Sequence, residues 1–310
     1  MIDSPVFLVG AERSGTTLLR LMLSHHPRIS FDNESEYLVD SIGPGGALPS
    51  REAFVARLLQ TRNFLLKRRE IKPDLDFVGL ANDITEQAAK GKDAAVYGAT
   101  VHRHFDRLLA IWPNARFIHL VRDGRDVAQS TIPMGWAGNM YEGIKLWVEA
   151  EELWSKLAEQ LSPDRHMTLS YEGLVANPEA ELTRICDFVG LPYDDAMLSY
   201  DQGSSYSKPN LRSVAKWKTL PAATVMAAES RAAYWLKKNG YELSAPVRQP
   251  GQSAKLYYKL HDRWGRMRFA QKRLTMSLWL ERLIAKRIGS AGWRESVRRR
   301  EHEIINRHLQ

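Results

Sequence analysis

The chain has 310 residues, enough for one large α/β domain with an appendage or for two domains. Hydrophobic residues make up 44% of the chain and charged residues 26%, a composition that excludes wholesale disorder and a collagen-like repeat. The single cysteine excludes a disulfide framework, and the apolar neighbours of Cys186 predict a packed thiol. We expect no membrane-spanning helix, because no run of about 18 apolar residues is present.

The excess positive charge is concentrated at one end of the chain. The net charge is +8, but residues 251–310 hold 15 Lys and Arg against 5 Asp and Glu, a balance of +10. Residues 1–250 therefore contain 29 basic and 31 acidic residues, a balance of −2. The first five residues are acidic rather than basic, so the apolar run that follows them predicts a buried strand and not a signal peptide.

Two strand–loop–helix units stand out along the chain. Residues 6–9 (VFLV) form a short apolar run, which is followed by a polar loop and by helical spacing over 17–23. Residues 116–121 (RFIHLV) also predict a buried strand, and helical spacing resumes at 127. Shorter strands are predicted at 94–97 and 166–169, and helices at 51–69, 102–111, 141–161, 178–189 and 222–238. Such alternation predicts a parallel sheet covered by helices on both faces.

A break in the pattern divides the chain near residue 250. Pro246 and the Pro250-Gly251 pair mark the break. We predict one α/β domain over 1–245 and a basic, amphipathic helical extension over 251–310, interrupted near Gly289 and Gly292.

The segment 10–17 (GAERSGTT) has the glycine spacing of a phosphate-binding loop, directly after a strand and before a helix. In this context the backbone N–H groups and the helix N-terminus bind an anion. A nucleotide kinase or ATPase has a lysine where this chain has Thr16, and the nearby cation here is Arg13, inside the loop. The loop therefore predicts a phosphate-bearing ligand that is held without the usual lysine.

The loop and a second motif resemble the sulfotransferases that use 3′-phosphoadenosine-5′-phosphosulfate (PAPS). RSGTTL over 13–18 resembles their 5′-phosphosulfate loop and closely matches that of the tyrosylprotein branch. VRDGRDVAQS over 121–130 resembles their 3′-phosphate motif, an arginine and a serine eight residues apart. Weaker similarity continues at 170–175, 177–179, 208–211 and 216–217. The resemblance covers roughly residues 4–243 and implies a three-layer fold like that of P-loop NTPases, with a central parallel sheet.

The residues of both motifs suit the chemistry of this donor. Arg13 is placed to stabilise the bridging oxygen that becomes negative as the S–O bond breaks. The 5′-phosphate can be held by loop amides and hydroxyls, at Ser14, Gly15, Thr16 and Thr17. The 3′-phosphate needs a separate clamp, for which Arg122 offers a fork of donors and Ser130 a hydroxyl. For Arg125, a salt bridge with Asp123 or Asp126 is equally compatible with the sequence.

The resemblance implies three further donor contacts. Tyr171, after the strand at 166–169, is expected near the adenine. Lys208 and Asn210 are expected to close over the donor, and a plain surface loop is the alternative for the polar segment 202–214.

Sulfuryl transfer also requires a base that removes the proton of the acceptor hydroxyl. In the tyrosylprotein branch, a glutamate 21 positions after the loop arginine is that base, which corresponds to Glu34 in the segment FDNESE. The alternatives are that Glu34 pairs with an arginine as a structural carboxylate, or that another residue is the base. The competing candidate for the base is His102, because the small-molecule branch uses a histidine from a Lys-Thr-His segment after the next strand.

The stretch 97–104 (YGATVHRH) departs from that segment, because it contains no lysine. Ala99 stands about where many relatives have a lysine that steadies the transferring group. The resemblance therefore implies that Arg13 acts alone or that Arg103 or another cation substitutes.

The basic extension is predicted to form amphipathic helices with three possible roles. It packs on its own domain or on a second copy of the chain, it contacts an anionic membrane surface, or it guides an acidic macromolecular acceptor. We expect no nucleic-acid partner, since no recognition motif accompanies the charge.

These observations together predict a cytoplasmic or membrane-peripheral sulfotransferase that uses PAPS as co-substrate and requires no metal. The acceptor is a hydroxyl of a small molecule or peptide: tyrosyl, sugar, lipid or small phenol. Much of the acceptor pocket is expected to come from residues 37–93. The alternatives are a P-loop nucleoside or nucleotide kinase, and a nucleotide-binding interaction protein without turnover.

Overall fold

We describe a computed structural model of the chain, which covers residues 1–89, 91–200, 213–273 and 276–307. Lys208 and Asn210 lie outside the described residues. Within them, the strands are β1 (Val6–Val9), β2 (Ile29–Glu34), β3 (Val96–Val101), β4 (Arg116–Val121) and β5 (His166–Ser170). They form one parallel sheet in the order β2-β3-β1-β4-β5. The chain thus crosses over the central strand, as a doubly wound sheet requires.

Helices connect the strands and continue beyond the sheet. The first group is α1 (Thr16–His25), α2 (Tyr37–Asp40), α3 (Arg51–Gln60), α4 (Arg62–Leu66), α5 (Phe77–Glu86), α6 (Gly124–Thr131) and α7 (Met140–Ala158). The second group is α8 (Tyr171–Ala176), α9 (Pro178–Val189), α10 (Ala222–Lys238), α11 (Gln252–Arg273), α12 (Met276–Ile288) and α13 (Ala291–Arg307). Short 3-10 segments lie between them, including Phe105–Ala110 after β3.

The sheet has an apolar core on each face. Along β1, Phe7 and Val9 point into a cluster that includes side chains from α2, α3, α5 and α7. Val6 and Leu8 point into the opposite cluster, with side chains from α1, α8 and α9. This alternation follows from the two-residue period of a strand. The predicted three-layer α/β architecture with a central parallel sheet is confirmed.

The predicted elements differ from the structure where hydrophobicity gives a weak signal. The strands at 6–9 and 116–121 are confirmed, whereas β2 is absent from the prediction and β3 begins later than predicted. The predicted helix at 51–69 is two helices, because Thr61 has an extended backbone between α3 and α4. The predicted helix at 102–111 is a 3-10 segment. Cys186 is buried in the core, and burial raises the pKa of its thiol to about 11, which supports a packed role.

The basic extension begins with a helix that packs on the α/β domain. Near the start of α7, Asn139 donates from Nδ2 to the carbonyl of Tyr258 at 2.8 Å, and Gly138 donates to Asp262 Oδ1 at 2.7 Å. The rings of Tyr141 and Tyr258 stack, with centroids 4.6 Å apart. The inner face of α11 is therefore fixed to the domain. None of the described helices combines the length and the hydrophobicity that crossing a membrane requires.

Candidate active site

The residues singled out by the sequence lie along one edge of the sheet. At the carboxyl ends of the five strands, in their spatial order, are Glu34, His102, the loop 10–15, Arg122 and Tyr171. Ligands of open parallel sheets bind at this edge, where the strand order reverses. The phosphate loop is central, so a ligand held there lies between a β2–β3 side with Glu34 and a β4–β5 side with Arg122.

The loop has a shape that requires glycine at two positions. A Cβ at Gly10 would lie 2.4 Å from the carbonyl oxygen of Leu120, and a Cβ at Gly15 would lie 2.3 Å from the ring of Tyr171. Arg13 has a left-handed backbone, with φ of 71°. An L-residue other than glycine pays roughly 1–2 kcal/mol for that conformation, so the loop holds an arginine against its backbone preference. This cost points to a function for the Arg13 side chain.

The two motifs meet in space although they are about 110 residues apart in the chain. Arg13 donates from Nε to Ser130 Oγ at 3.0 Å. Arg122 donates from Nη1 to the carbonyl oxygen of Arg13 at 3.1 Å, and its guanidinium lies over the ring of Tyr171 at 4.3 Å. Tyr171 is the first residue of α8 rather than the end of a strand, and its hydroxyl lies 2.7 Å from Ser213 Oγ. Four predicted donor-binding residues therefore form one cluster.

Two buried polar atoms in this cluster have no hydrogen-bond partner among the described residues. They are the hydroxyl of Ser14, which is fully buried inside the loop, and Nε of Arg122. Buried polar atoms without a partner are rare in folded proteins and require an explanation. Both atoms can donate a hydrogen bond, so an anionic ligand bound at the loop and at Arg122 would give each of them an acceptor.

Arg125 belongs to a separate ion-pair network, and its side-chain contacts lie outside this cluster. It makes a two-point contact with Asp123, pairs with Glu229 at 2.5 Å, and lies over the ring of Trp217 at 3.5 Å. The pairing with Asp123 agrees with one alternative from the sequence. It is a buried network and not a surface salt bridge, because the Arg125 side chain is 2% exposed.

The acidic segment after α1 contains three carboxylates in different environments. Asp32 accepts from Lys67 Nζ at 2.9 Å and from Arg69 Nη2 at 2.7 Å. Burial alone would raise the pKa of Asp32, but the two cations outweigh it and the pKa is lowered. Asp32 is therefore the structural carboxylate of the segment, a role that the sequence left open for Glu34.

Glu36 pairs with His102, which in turn contacts the phosphate loop. Glu36 Oε1 lies 2.9 Å from Nδ1 of the His102 ring, and Nε2 of that ring lies 3.0 Å from Thr16 Oγ1. Burial disfavours the charged imidazole, but the Glu36 carboxylate outweighs burial, so the pKa of His102 is raised above the ordinary histidine value. The histidine is thus held between Glu36 and the loop, with both ring nitrogens in contact with a polar partner.

Glu34 lies between these two pairs, and no cation lies within ion-pair distance of its carboxylate among the described residues. It ends β2 next to a bulge and pairs with Thr100 of β3. Its negative charge favours the protonated forms of His102 and Lys67, although burial lowers the pKa of Lys67 overall. Of the three carboxylates, Glu34 is the one left available to accept a proton.

The structure changes two expectations about the lysine that many relatives have at about the position of Ala99. Ala99 lies in the middle of β3, fully buried in the core, so a longer side chain there would enter the core and not the site. Arg103 is held by Asp40 through two hydrogen bonds of 3.0 and 2.8 Å. The basic side chains that pair with the carboxylates on either side of Glu34 in the chain are Lys67 and His102, and Lys67 was not expected from the sequence.

Comparisons with known proteins agree with this geometry. A family model described as the sulfotransferase family matches residues 5–195, more than half of the chain. The chain belongs to the sulfotransferase family.

Its curated relatives include proteins with the name protein-tyrosine sulfotransferase. A protein-tyrosine sulfotransferase of Drosophila melanogaster is 27% identical over 224 residues, 66% of this chain and 41% of that protein. Protein-tyrosine sulfotransferase A of Caenorhabditis elegans is 25% identical over 293 residues, 82% of this chain and 71% of that protein. The resemblance to the tyrosylprotein branch is confirmed.

Solved structures show the same fold. The sulfotransferase domain from the curacin biosynthetic pathway matches with a TM-score of 0.57 at 21% identity, over 78% of this chain and 99% of that one. The sulfotransferase domain of the Synechococcus PCC 7002 olefin synthase matches with a TM-score of 0.53 at 21% identity, over 74% of this chain and 96% of that one.

A cleft of about 560 Å³ opens beside His102 in this sulfotransferase. It is lined by loop residues, by the segment after β3 and by one face of α7: Ala11, Glu12, His102, Arg103, His104, Leu146, Glu149, Ala150, Glu152, Leu153 and Lys156. Residues 37–93 do not line this cleft, and their contribution to an acceptor pocket stays a prediction. They cover one face of the sheet and supply Lys67 and Arg69 to the site. Across the described ranges, no three His, Cys, Asp or Glu side chains group closely enough to hold a metal ion.

Proposed function

We propose that the sulfotransferase transfers the sulfuryl group of PAPS to an acceptor hydroxyl, and that a tyrosyl hydroxyl is its acceptor class. The observation that carries the donor assignment is the contact of Arg13 with Ser130 and of Arg122 with the Arg13 carbonyl. It joins a 5′-phosphate loop to a second basic clamp, which a donor with a 3′-phosphate needs and ATP does not. The names of the curated relatives support the tyrosyl acceptor, as does Glu34, whose carboxylate has no ion-pair partner within the described part of the chain.

Each residue of the site has a chemical task in this proposal. Bound PAPS supplies a sulfuryl group whose S–O bond to the 5′-phosphate breaks as the acceptor oxygen attacks sulfur. Glu34 accepts the proton that the acceptor hydroxyl loses. Arg13 and the amides of the loop stabilise the electron pair that passes to the bridging oxygen of the leaving 5′-phosphate. Arg122 and Ser130 bind the 3′-phosphate and hold the donor in register with Glu34.

Thr16 and His102 act together on the 5′ side of the donor. Protonated His102 donates from both ring nitrogens, to Glu36 and to the Thr16 oxygen, which leaves the Thr16 hydroxyl hydrogen free for a phosphate oxygen. When His102 loses its proton from Nε2, the Thr16 hydroxyl turns to donate to that nitrogen. Deprotonation therefore removes a positive charge and a hydrogen-bond donor from the loop at the same time.

We expect donor affinity to fall as the pH rises through the pKa of His102, which Glu36 raises above the ordinary histidine value. Calorimetric titration with adenosine 3′,5′-bisphosphate across neutral and alkaline pH measures this fall. His102→Asn should bind more weakly and lack the fall. Glu36→Gln should move the fall to lower pH, because it removes the carboxylate that raises the pKa. Parallel pH profiles for the wild type and both variants would contradict the role of His102.

A nucleotide-binding experiment tests the donor assignment directly. Adenosine 3′,5′-bisphosphate should raise the melting temperature in the presence of a metal chelator, and adenosine 5′-phosphate should have a much smaller effect. Arg122→Ala should lose most of the shift, whereas Arg103→Ala, which removes an arginine held by Asp40, should keep it. A larger, Mg²⁺-dependent shift with ATP would contradict the proposal and favour a nucleotide kinase.

A further inference from the structure

The outward face of α11 is apolar although its inner face already packs on the domain. The outward residues are exposed by 41–60%: Leu256, Tyr257, Leu260, Trp264 and Met267. At about 100° per residue they form one stripe, opposite the residues that contact the domain. Those inner residues are Tyr258, Asp262, Gly265 and Phe269. The helix therefore has two apolar faces, and only the inner one has a partner within the described residues.

The next helix, α12, also has an exposed apolar face. On α12, Leu280 and Ile284 are each 47% exposed and Ile288 is 79% exposed, at the i, i+4, i+8 spacing of one helix face. The opposite face of α12 is buried against α13 through Leu278 and Ala285. Exposed apolar faces of this kind, on two successive helices, are typical of an interaction site.

A basic pocket adjoins the stripe of α11 at Met267, which belongs to both. A pocket of about 550 Å³ lies between residues 134–136, α11 and α12. Its described lining contains no acidic residue. The cations are Arg263, Arg266, Arg273, Arg282 and Lys286, and the aromatic rings are Trp136, Phe269 and Trp279. Arg266 pairs with Asp262 on the same helix. The pocket thus offers positive charge beside apolar rings, a combination that suits an anionic headgroup attached to an acyl chain.

We propose that α11 and α12 dock on an anionic phospholipid surface. The apolar stripe enters the interface between headgroups and acyl chains, and a lipid phosphate occupies the basic pocket. Amphipathic helices with cations beside an apolar face bind anionic bilayers in this way. A second copy of the chain is a poorer occupant, because each copy carries the +10 charge of residues 251–310 and the two repel.

Vesicle sedimentation with the full chain tests this proposal. The protein should pellet with vesicles of phosphatidylcholine mixed with phosphatidylglycerol, at least about tenfold more than with phosphatidylcholine alone. Added salt should weaken the binding, because surface charges are screened. Equal binding to both vesicle types, or no binding to either, would overturn the proposal.

Matched variants identify the surface. Tyr257→Ser should lower the partition coefficient several-fold, whereas Tyr234→Ser on α10, at a tyrosine that is 66% exposed, should leave it unchanged. Arg263→Glu should lower it about tenfold, and Lys237→Glu on α10 should not. Equal losses in the controls would overturn the proposal. So would light scattering that shows a dimer which Tyr257→Ser converts to a monomer, since a second copy would then cover the stripe. All four variants should keep the wild-type melting temperature and donor affinity, because these side chains are exposed.

Discussion

Replacing Glu34 by Gln is expected to lower kcat by about 10² to 10⁴, the range for loss of a positioned general base. The amide keeps the size of the side chain but cannot accept the acceptor proton. The melting temperature and the affinity for adenosine 3′,5′-bisphosphate should stay unchanged, because no described residue is paired with the Glu34 carboxylate. Single-turnover transfer of labelled sulfate and calorimetry on the same preparation measure the two effects.

The matched control is Glu12→Gln, which removes a second carboxylate that lies within the loop and lines the cleft. Glu12→Gln should keep kcat within a few-fold of the wild type. A large loss in Glu12→Gln with little loss in Glu34→Gln would transfer the role of base to Glu12. A loss of donor affinity in Glu34→Gln would show that Glu34 serves binding and not proton transfer.

Replacing Arg13 by Gly is expected to lower kcat by about 10² to 10³, the range for loss of one donor that stabilises developing negative charge. The substitution deletes the side chain without straining the loop, because glycine readily adopts the left-handed backbone of this position. Stability should therefore be kept or slightly raised. Arg13→Lys should recover part of the rate, since it restores a charge but not the fork of donors that reaches Ser130.

Arg68 provides an unusually close control for this variant. It is also an arginine with a left-handed backbone, with φ of 49°, and its side chain is exposed outside the loop. Arg68→Gly therefore makes the same chemical and conformational change without touching the donor site, and kcat should be retained. Equal losses of activity in the two variants would mean that the change of residue type at a left-handed position, and not the Arg13 side chain, causes the defect.

The donor side of the site follows from the sequence because its residues lie in short local motifs. The loop 10–17 and the segment 121–130 each follow a strand and run into a helix, so spacing alone places Arg13 and Arg122 just after strands and Ser130 in the helix that follows Arg122. The parallel sheet then brings those ends to one edge. Local pattern and global fold therefore agree on this half of the site.

The acceptor side does not follow from the sequence, because it depends on pairings between distant segments. Lys67 reaches Asp32 across 35 residues, and Glu36 reaches His102 across 66. The strand β2 that aligns the acidic segment has an apolar first half and a polar, partly exposed second half, since it lies at the edge of the sheet. It lacks the continuous apolar run by which buried strands are predicted.

Transfer of ³⁵S from labelled PAPS to a tyrosine-containing peptide tests the central claim most directly. The wild type should produce a labelled peptide whose added mass is lost on acid treatment, as for a sulfate ester, and should release adenosine 3′,5′-bisphosphate in equal amount. The matched peptide with phenylalanine in place of tyrosine should remain unlabelled, and Glu34→Gln should bind the donor without labelling either peptide. Donor binding by the wild type without transfer to a tyrosyl, sugar, lipid or phenolic hydroxyl would contradict the assignment of sulfuryl transfer.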